Sequence, residues 1–253
     1  MPSAAAIRAV VEASPAAVAA HDKAAWTALF APDGQVHDPV GSRPQTTSEA
    51  ISRFYDMFIA PNRIVFDVEH DVIDGDTMIR DLTVHTTMST GVTLHIPMHL
   101  RYTVVGEGDA ARIAGLYAHW ELRGMIAQLL RSGPRGLAAG TILGPRLFRT
   151  LGVQAGAGFL AGLRGVGSAG RRRAVELLRA QGLRTGKALA AGPMVTVTVF
   201  DGAPRRLAPS STSPPPALPP PGPPPSGSTS RLNVVSPHPV LGKHLHRLLV
   251  TRR

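Results

Sequence analysis

The chain has 253 residues, 43% of them hydrophobic, with 26 Gly, 23 Pro and no Cys. That length allows one large domain or two small ones, and the lack of Cys excludes disulfides, thiolate nucleophiles and zinc–thiolate centres. Charge is divided unevenly: residues 1–122 carry 8 Lys/Arg against 15 Asp/Glu, a net of −7, whereas residues 123–253 carry 19 against 2, a net of +17.

In chain order, residues 3–20 are Ala-rich and helical, with Pro15 expected to kink or split the helix. Asp22 can cap a second helix, Lys23–Phe30, whose apolar face is Trp26, Leu29 and Phe30. Ala31-Pro32-Asp33-Gly34 reads as a turn, and Gln35–Val40 as a short extended segment holding Asp38. Thr46 and Glu49 have capping-box spacing ahead of Ile51, Phe54, Tyr55 and Phe58 at helical spacing. After Pro61 the period becomes two, and strands are expected over Arg63–Ile73, Thr77–Met88, Val92–Val105 and Ala111–Leu122, separated by Gly-bearing turns. Helices followed by a meander of long strands indicate an α+β fold, with the helices on one face of a curved, mostly antiparallel sheet.

The second half is organised differently. Residues 124–170 are helical but Gly-broken, and Arg171–Arg184 is a better helix. Met194–Phe200 is a strand by its β-branched content, with no partner nearby. From Ala203 to Pro225 there are 11 Pro in 23 residues, a polyproline-like or disordered stretch, and Arg231–Arg253 is basic with no clear core. The expected division is therefore residues 1–122, a Gly-rich helical segment with one strand over 123–202 as a truncated second unit, and a disordered Pro-rich and basic tail over 203–253. Arg outnumbers Lys 24 to 3, a bias that GC-rich coding DNA also yields, and the tail is read either as a linker-like segment or as the product of a reading-frame change.

Residues Phe30–Gly41, with Val36-His37-Asp38-Pro39-Val40-Gly41 at their end, then Ile51-Ser52-Arg53-Phe54-Tyr55, Arg101-Tyr102 and Tyr117-Ala118-His119-Trp120, occur in an order that resembles the ketosteroid-isomerase-like, or SnoaL-like, domains of the nuclear transport factor 2 superfamily. The resemblance covers residues 1–122. It implies a cone-shaped α+β fold around a single apolar pocket, and allylic proton transfer beside a ketone, with Asp38 on the general base, Trp120 on a pocket wall and Tyr55 on a Tyr supporting the oxyanion network. Phe30 replaces a second supporting Tyr. Ser14 and Met98 stand where the family has its two oxyanion donors, so both donors are missing. The implied pocket comprises Ser14, Phe30, Phe54, Tyr55, Phe58, Met98 and Trp120.

Two readings stay open: a protein that binds a small apolar ligand of steroid or polyketide type and uses Asp38 as acid/base, and a ligand-binding or scaffold domain without chemistry. Asp38 before Pro39 is also an ordinary turn residue. A basic-tailed nucleic-acid or membrane-surface protein is a weaker third reading, because aromatic residues for base stacking are nearly absent after residue 123. His95 and His99 share one strand face, opposite Leu94, Ile96, Met98 and Leu100. With no third ligand in view they are read as surface or interface residues, and no metal is expected. Their face, where related proteins dimerise, is the candidate homodimer surface. Gly165-Val-Gly167-Ser-Ala-Gly170 fits a dinucleotide fingerprint but lacks the preceding strand and an acid at the required distance, so no cofactor is expected; the scarcity of stacking aromatics in the basic half leaves no nucleic-acid partner expected. Arg8 and Glu12 interrupt the apolar N-terminus, and the longest relevant apolar stretch, Thr150–Leu163, has 14 residues, short of the roughly 20 that span a bilayer. A cytoplasmic protein without a transmembrane segment is expected.

Overall fold

The computed structural model describes residues 1–160, 163–200 and 230–235. Helix α1 (Ala4–Ala19) is capped by Ser3, whose hydroxyl accepts from the Ala6 N–H at 3.2 Å. It runs unbroken through Pro15, against expectation. Proline removes one ladder donor, while buried Val11, Ser14, Ala17 and Val18 on one stripe hold the turns on both sides of it. Asp22 caps α2 (Lys23–Ala28) by accepting from Ala25 N at 2.8 Å. Strand β1 (Phe30–His37) absorbs the expected Ala31–Gly34 turn as a register irregularity between Phe30 and Gln35. Helix α3 (Ser48–Phe54) is capped by Thr47 rather than Thr46, and continues as one π-turn over Tyr55–Ile59.

Strands β2 (Arg63–Asp74), β3 (Thr77–Thr87), β4 (Thr93–Val105) and β5 (Arg112–His119) follow the period-two reading to within a few residues. With β1 they form a five-stranded sheet of order β1-β5-β4-β3-β2, antiparallel except for the parallel β1–β5 pair. This is the α+β cone: α1 to α3 cover the inner face, to which Leu94, Ile96, Met98 and Leu100 point.

The core continues past the boundary expected at residue 122. Helices α4 (Leu122–Arg131), α5 (Gly133–Leu151) and α6 (Val153–Leu160) add Leu122, Leu129, Ala139, Leu147 and Phe159 to the same apolar cluster. Gln128 fixes α4 to β4: its amide donates to the His95 carbonyl at 2.7 Å and accepts from the His95 N–H at 2.9 Å. This satisfies backbone groups at a point where β5 has no partner residue for β4.

A second layer lies on the outer face of the sheet. Helix α7 (Gly167–Ala180) packs on a three-stranded antiparallel sheet of order β6 (Arg184–Ala191), β7 (Met194–Phe200), β8 (Ser230–Val235). The strand expected to lack a partner therefore has two, and 123–202 holds two strands, not one. Val195, Val197 and Val199 of β7 meet Ala174 and Leu178 of α7, whereas Thr196 and Thr198 face the first sheet. The remainder of the tail expected over 203–253 lies outside the described residues.

The β6–β7 hairpin touches the segment after β1. Gly41 (φ +96°) and Gly192 (φ +54°) approach so closely that a Cβ on either would lie 2.6 Å from the other's Cα. Gly165, of the dinucleotide-like motif, also backs onto Gly192, where a Cβ would meet the carbonyl oxygen at 2.0 Å. That glycine serves close backbone packing.

Candidate functional site

The cone encloses a cavity of about 150 Å³ that opens at one end. Its walls are overwhelmingly apolar. The sheet contributes alternate residues of β4, namely Leu94, Ile96, Met98, Leu100 and Tyr102, because a strand exposes every second side chain to one face. Helical residues Phe54 and Phe58 form the opposite wall, and Met125, Leu143 and Phe159 bring α4, α5 and α6 over the mouth. Phe58 stacks on Phe159 at 5.0 Å between ring centroids.

Few polar groups reach this space. Asp38 follows β1, and Trp120 follows the neighbouring strand β5. Their parallel pairing places the indole beside the carboxylate, and Trp120 Nε1 donates to Asp38 Oδ1 at 2.6 Å. Burial pushes the Asp38 carboxyl up to about 6, with the indole hydrogen bond pulling the other way. The side chain is only half-buried by surface area, because part of it borders the cavity. A cis peptide joins Asp38 to Pro39.

A second polar group sits on the α1 and β4 walls. Ser14 Oγ accepts from Trp26 Nε1 at 3.2 Å. Burial pushes the Tyr102 phenol up to about 12, against the opposing influence of Arg80 and of a hydrogen bond with Ser14. Arg80 is itself buried, donating to Asp71 at 2.8 and 2.9 Å and to Glu12 at 2.6 Å.

Of the residues singled out from sequence, the structure brings Ser14, Asp38, Phe54, Phe58, Met98 and Trp120 to one cavity. It does not bring Phe30 or Tyr55. Trp26 stands between them and the space, with Phe30 edge-on at 4.8 Å and Tyr55 at 5.5 Å. The Tyr55 hydroxyl is buried without a hydrogen-bond partner, so it supports no donor network. Sequence reasoning missed Trp26 and Tyr102 as lining residues. The β4 alternation, carried two residues past Leu100, would have reached Tyr102. Nothing local to Met125, Leu143 or Phe159 signals that their helices close the mouth.

The outer-face histidines part company. His95 is exposed, with its Nδ1 2.7 Å from that of His85. His99 is fully buried: its Nδ1 lies 2.7 Å from Thr196 Oγ1 and its Nε2 3.0 Å from Thr198 Oγ1. Thr198 also donates to Asp81 at 2.6 Å, and Lys187 Nζ lies 2.5 Å from Asp81 and 2.7 Å from Glu69. Burial would raise the Asp81 carboxyl, but hydrogen bonds from His99, Lys187 and Thr198 win and hold it well below the usual range. The strand face anticipated as a homodimer surface is thus covered around His99 by the chain's own β6 and β7. Glu69, His70 and Asp81 could each turn a ligand atom to one point, but Lys187 already neutralises the two carboxylates.

Residues 11–115 match the family described as SnoaL-like domain. This part of the chain is a SnoaL-like domain. No curated protein matches. Among solved structures, the chain is similar to Delta 5-3-ketosteroid isomerase from Mycobacterium sp. at 26% identity, over 47% of this chain and 96% of that one, with a TM-score of 0.44. It is similar at 26% identity to a Mycobacterium tuberculosis protein in complex with estradiol-17beta-hemisuccinate, over 47% and 95%, TM-score 0.43. It is also similar to a Mycobacterium tuberculosis LEH-like epoxide hydrolase at 19% identity, over 54% and 95%, TM-score 0.43. The α7–β8 layer lies beyond the matched SnoaL-like domain, and so do helices α4 to α6 at the cavity mouth.

Proposed function

We propose that the SnoaL-like domain binds a flat apolar molecule of steroid or polyketide type, and that Asp38 moves a proton beside its ketone. The observation that carries this is Asp38 itself: a carboxylate in an otherwise apolar wall, desolvated to about 6 and oriented by Trp120. Such a group is basic enough to take a proton from carbon near neutral pH and to return it further along the conjugated system. The developing enolate oxygen requires a hydrogen-bond donor. Tyr102 is the candidate, since its phenol keeps its proton up to about 12 and its ring lines the cavity. A phenol so reluctant to ionise is a weaker partner for an enolate than an ordinary one, which favours slow turnover. Cytoplasmic placement belongs to the same proposal.

A second reading, binding without turnover, is favoured by Met98 and Ser14 at the places where the resemblance implies donors. One experiment separates the two. The enzymatic reading predicts conversion of a β,γ-unsaturated 3-ketosteroid to its conjugated isomer, lost in Asp38→Asn. Ligand binding should persist in that variant, read by the fluorescence of Trp26 and Trp120, both in the cavity wall. Binding without isomerisation in the wild type selects the second reading, and turnover unchanged in Asp38→Asn refutes the first.

A further inference from the structure

The three helices over the cavity mouth carry apolar side chains that are exposed among the described residues. Leu130, Leu137, Ile142, Phe148, Val153 and Leu160 are between 39% and 75% exposed. Leu137 and Phe148 are eleven residues apart on α5, about three turns, so they project from the same side. Arg135, Ile142 and Arg149 recur at intervals of seven, about two turns each, and form a second stripe roughly 100–160° further round the helix, so the two stripes border its solvent side. From Leu122 to Val175 there are nine Arg and no Asp or Glu, and Arg131, Arg135 and Arg149 are exposed. The opposite faces of these helices supply Met125, Leu143 and Phe159 to the cavity.

We propose that the outer face of α4, α5 and α6 docks on an anionic phospholipid bilayer, lying in its interface. Apolar side chains between arginines suit the boundary between acyl chains and negatively charged headgroups. No described helix is long and apolar enough to cross a membrane, so the mode is peripheral. Charge also sets the orientation. Residues 1–122 are net negative and are repelled by such a surface, while the helical face is attracted. The docked protein turns its cavity mouth toward the bilayer, where an apolar ligand would be dissolved. The docking itself does not depend on the proposed chemistry of Asp38.

The test is co-sedimentation of the full chain with phosphatidylcholine vesicles and with mixed phosphatidylcholine–phosphatidylglycerol vesicles. Wild type is expected to bind the mixed vesicles more strongly than phosphatidylcholine alone. Leu137→Glu with Phe148→Glu should weaken that partition by about tenfold or more. Leu137→Ser with Phe148→Ser repeats the test without added charge, and should also weaken it. Arg135→Gln with Arg149→Gln should weaken binding by about fivefold per arginine, and only on the anionic vesicles. Circular dichroism and tryptophan fluorescence check that each variant keeps its fold. The proposal is overturned by no binding by wild type, by binding indifferent to the Leu137 and Phe148 pair, which assigns it to the basic residues after 203, or by a dimer in light scattering that both apolar pairs dissociate while vesicles are ignored. RNA binding that needs the arginines but not Leu137 or Phe148, with no vesicle binding, would also overturn it.

Discussion

Asp38→Asn should stabilise the protein at neutral pH, and the gain should vanish in acid. In the folded chain the carboxyl titrates at about 6 against an ordinary 3.8. The folded state therefore holds the proton more tightly than the unfolded state. Its contribution to stability is fully present below the unfolded value near 3.8 and is lost as pH rises to about 6. A shift of about two units is worth about 3 kcal/mol at most. Because one side of the carboxyl faces the open cavity, solvent screening reduces the expected penalty to about 1–2 kcal/mol. Asparagine keeps the shape and still accepts from Trp120 but carries no charge to desolvate. For a chain of this size, about 1 kcal/mol moves the melting temperature by roughly 2–4 °C. Thermal melts of both proteins between about pH 4 and pH 8 should show Asp38→Asn melting about 2–8 °C higher above pH 7, converging with wild type near pH 4. Titrations elsewhere in the chain cancel in the difference. A difference that is flat with pH, or that grows as pH falls, would refute the claim that burial raises this carboxyl, and with it the case for a base poised near neutrality.

Three further outcomes follow from the same geometry. Tyr102→Phe should lower any isomerase turnover by about 10²-fold with little change in ligand affinity, the loss typical of one oxyanion donor; unchanged turnover removes Tyr102 from the reaction. Lys187→Met leaves the Asp81 carboxylate buried beside His99 without its cation and should cost about 3 kcal/mol at pH 7, read by chemical denaturation and by faster amide exchange in β7. Equal stability would mean that the contact between the two sheets does not depend on that pair. Phe159→Ala removes the ring stacked on Phe58 at the cavity mouth and should cost about 3 kcal/mol while speeding ligand release in stopped-flow fluorescence; slower release would show that α6 does not gate the mouth.

Much of the framework was legible in local patterns. Asp22 marks its helix start, and Leu94, Ile96, Met98 and Leu100 declare the inner face of β4, because caps and period-two alternation are written within a few residues. Met194–Phe200 shows its two faces just as openly, Val against Thr, although what each face would meet was not readable. Asp38 and Trp120 belong together only through the family pattern, being 82 positions apart until β1 and β5 pair in parallel. What tertiary structure alone decided are the long-range partners. β6 contains Gly186 and Lys187 among alanines, poor strand formers whose extended state comes from pairing with β7. The placement of His95 and His99 opposite the apolar residues of β4 identified an outer face but not that Lys187, Thr196 and Thr198 of the same chain would cover it at His99. Tyr55 and Phe30 were excluded from the cavity by Trp26, a matter of three-dimensional packing order among aromatics that no spacing encodes. Alternation records which side of an element is apolar; which surface comes to lie on that side depends on contacts between residues far apart in the chain, and those exist only once it has folded.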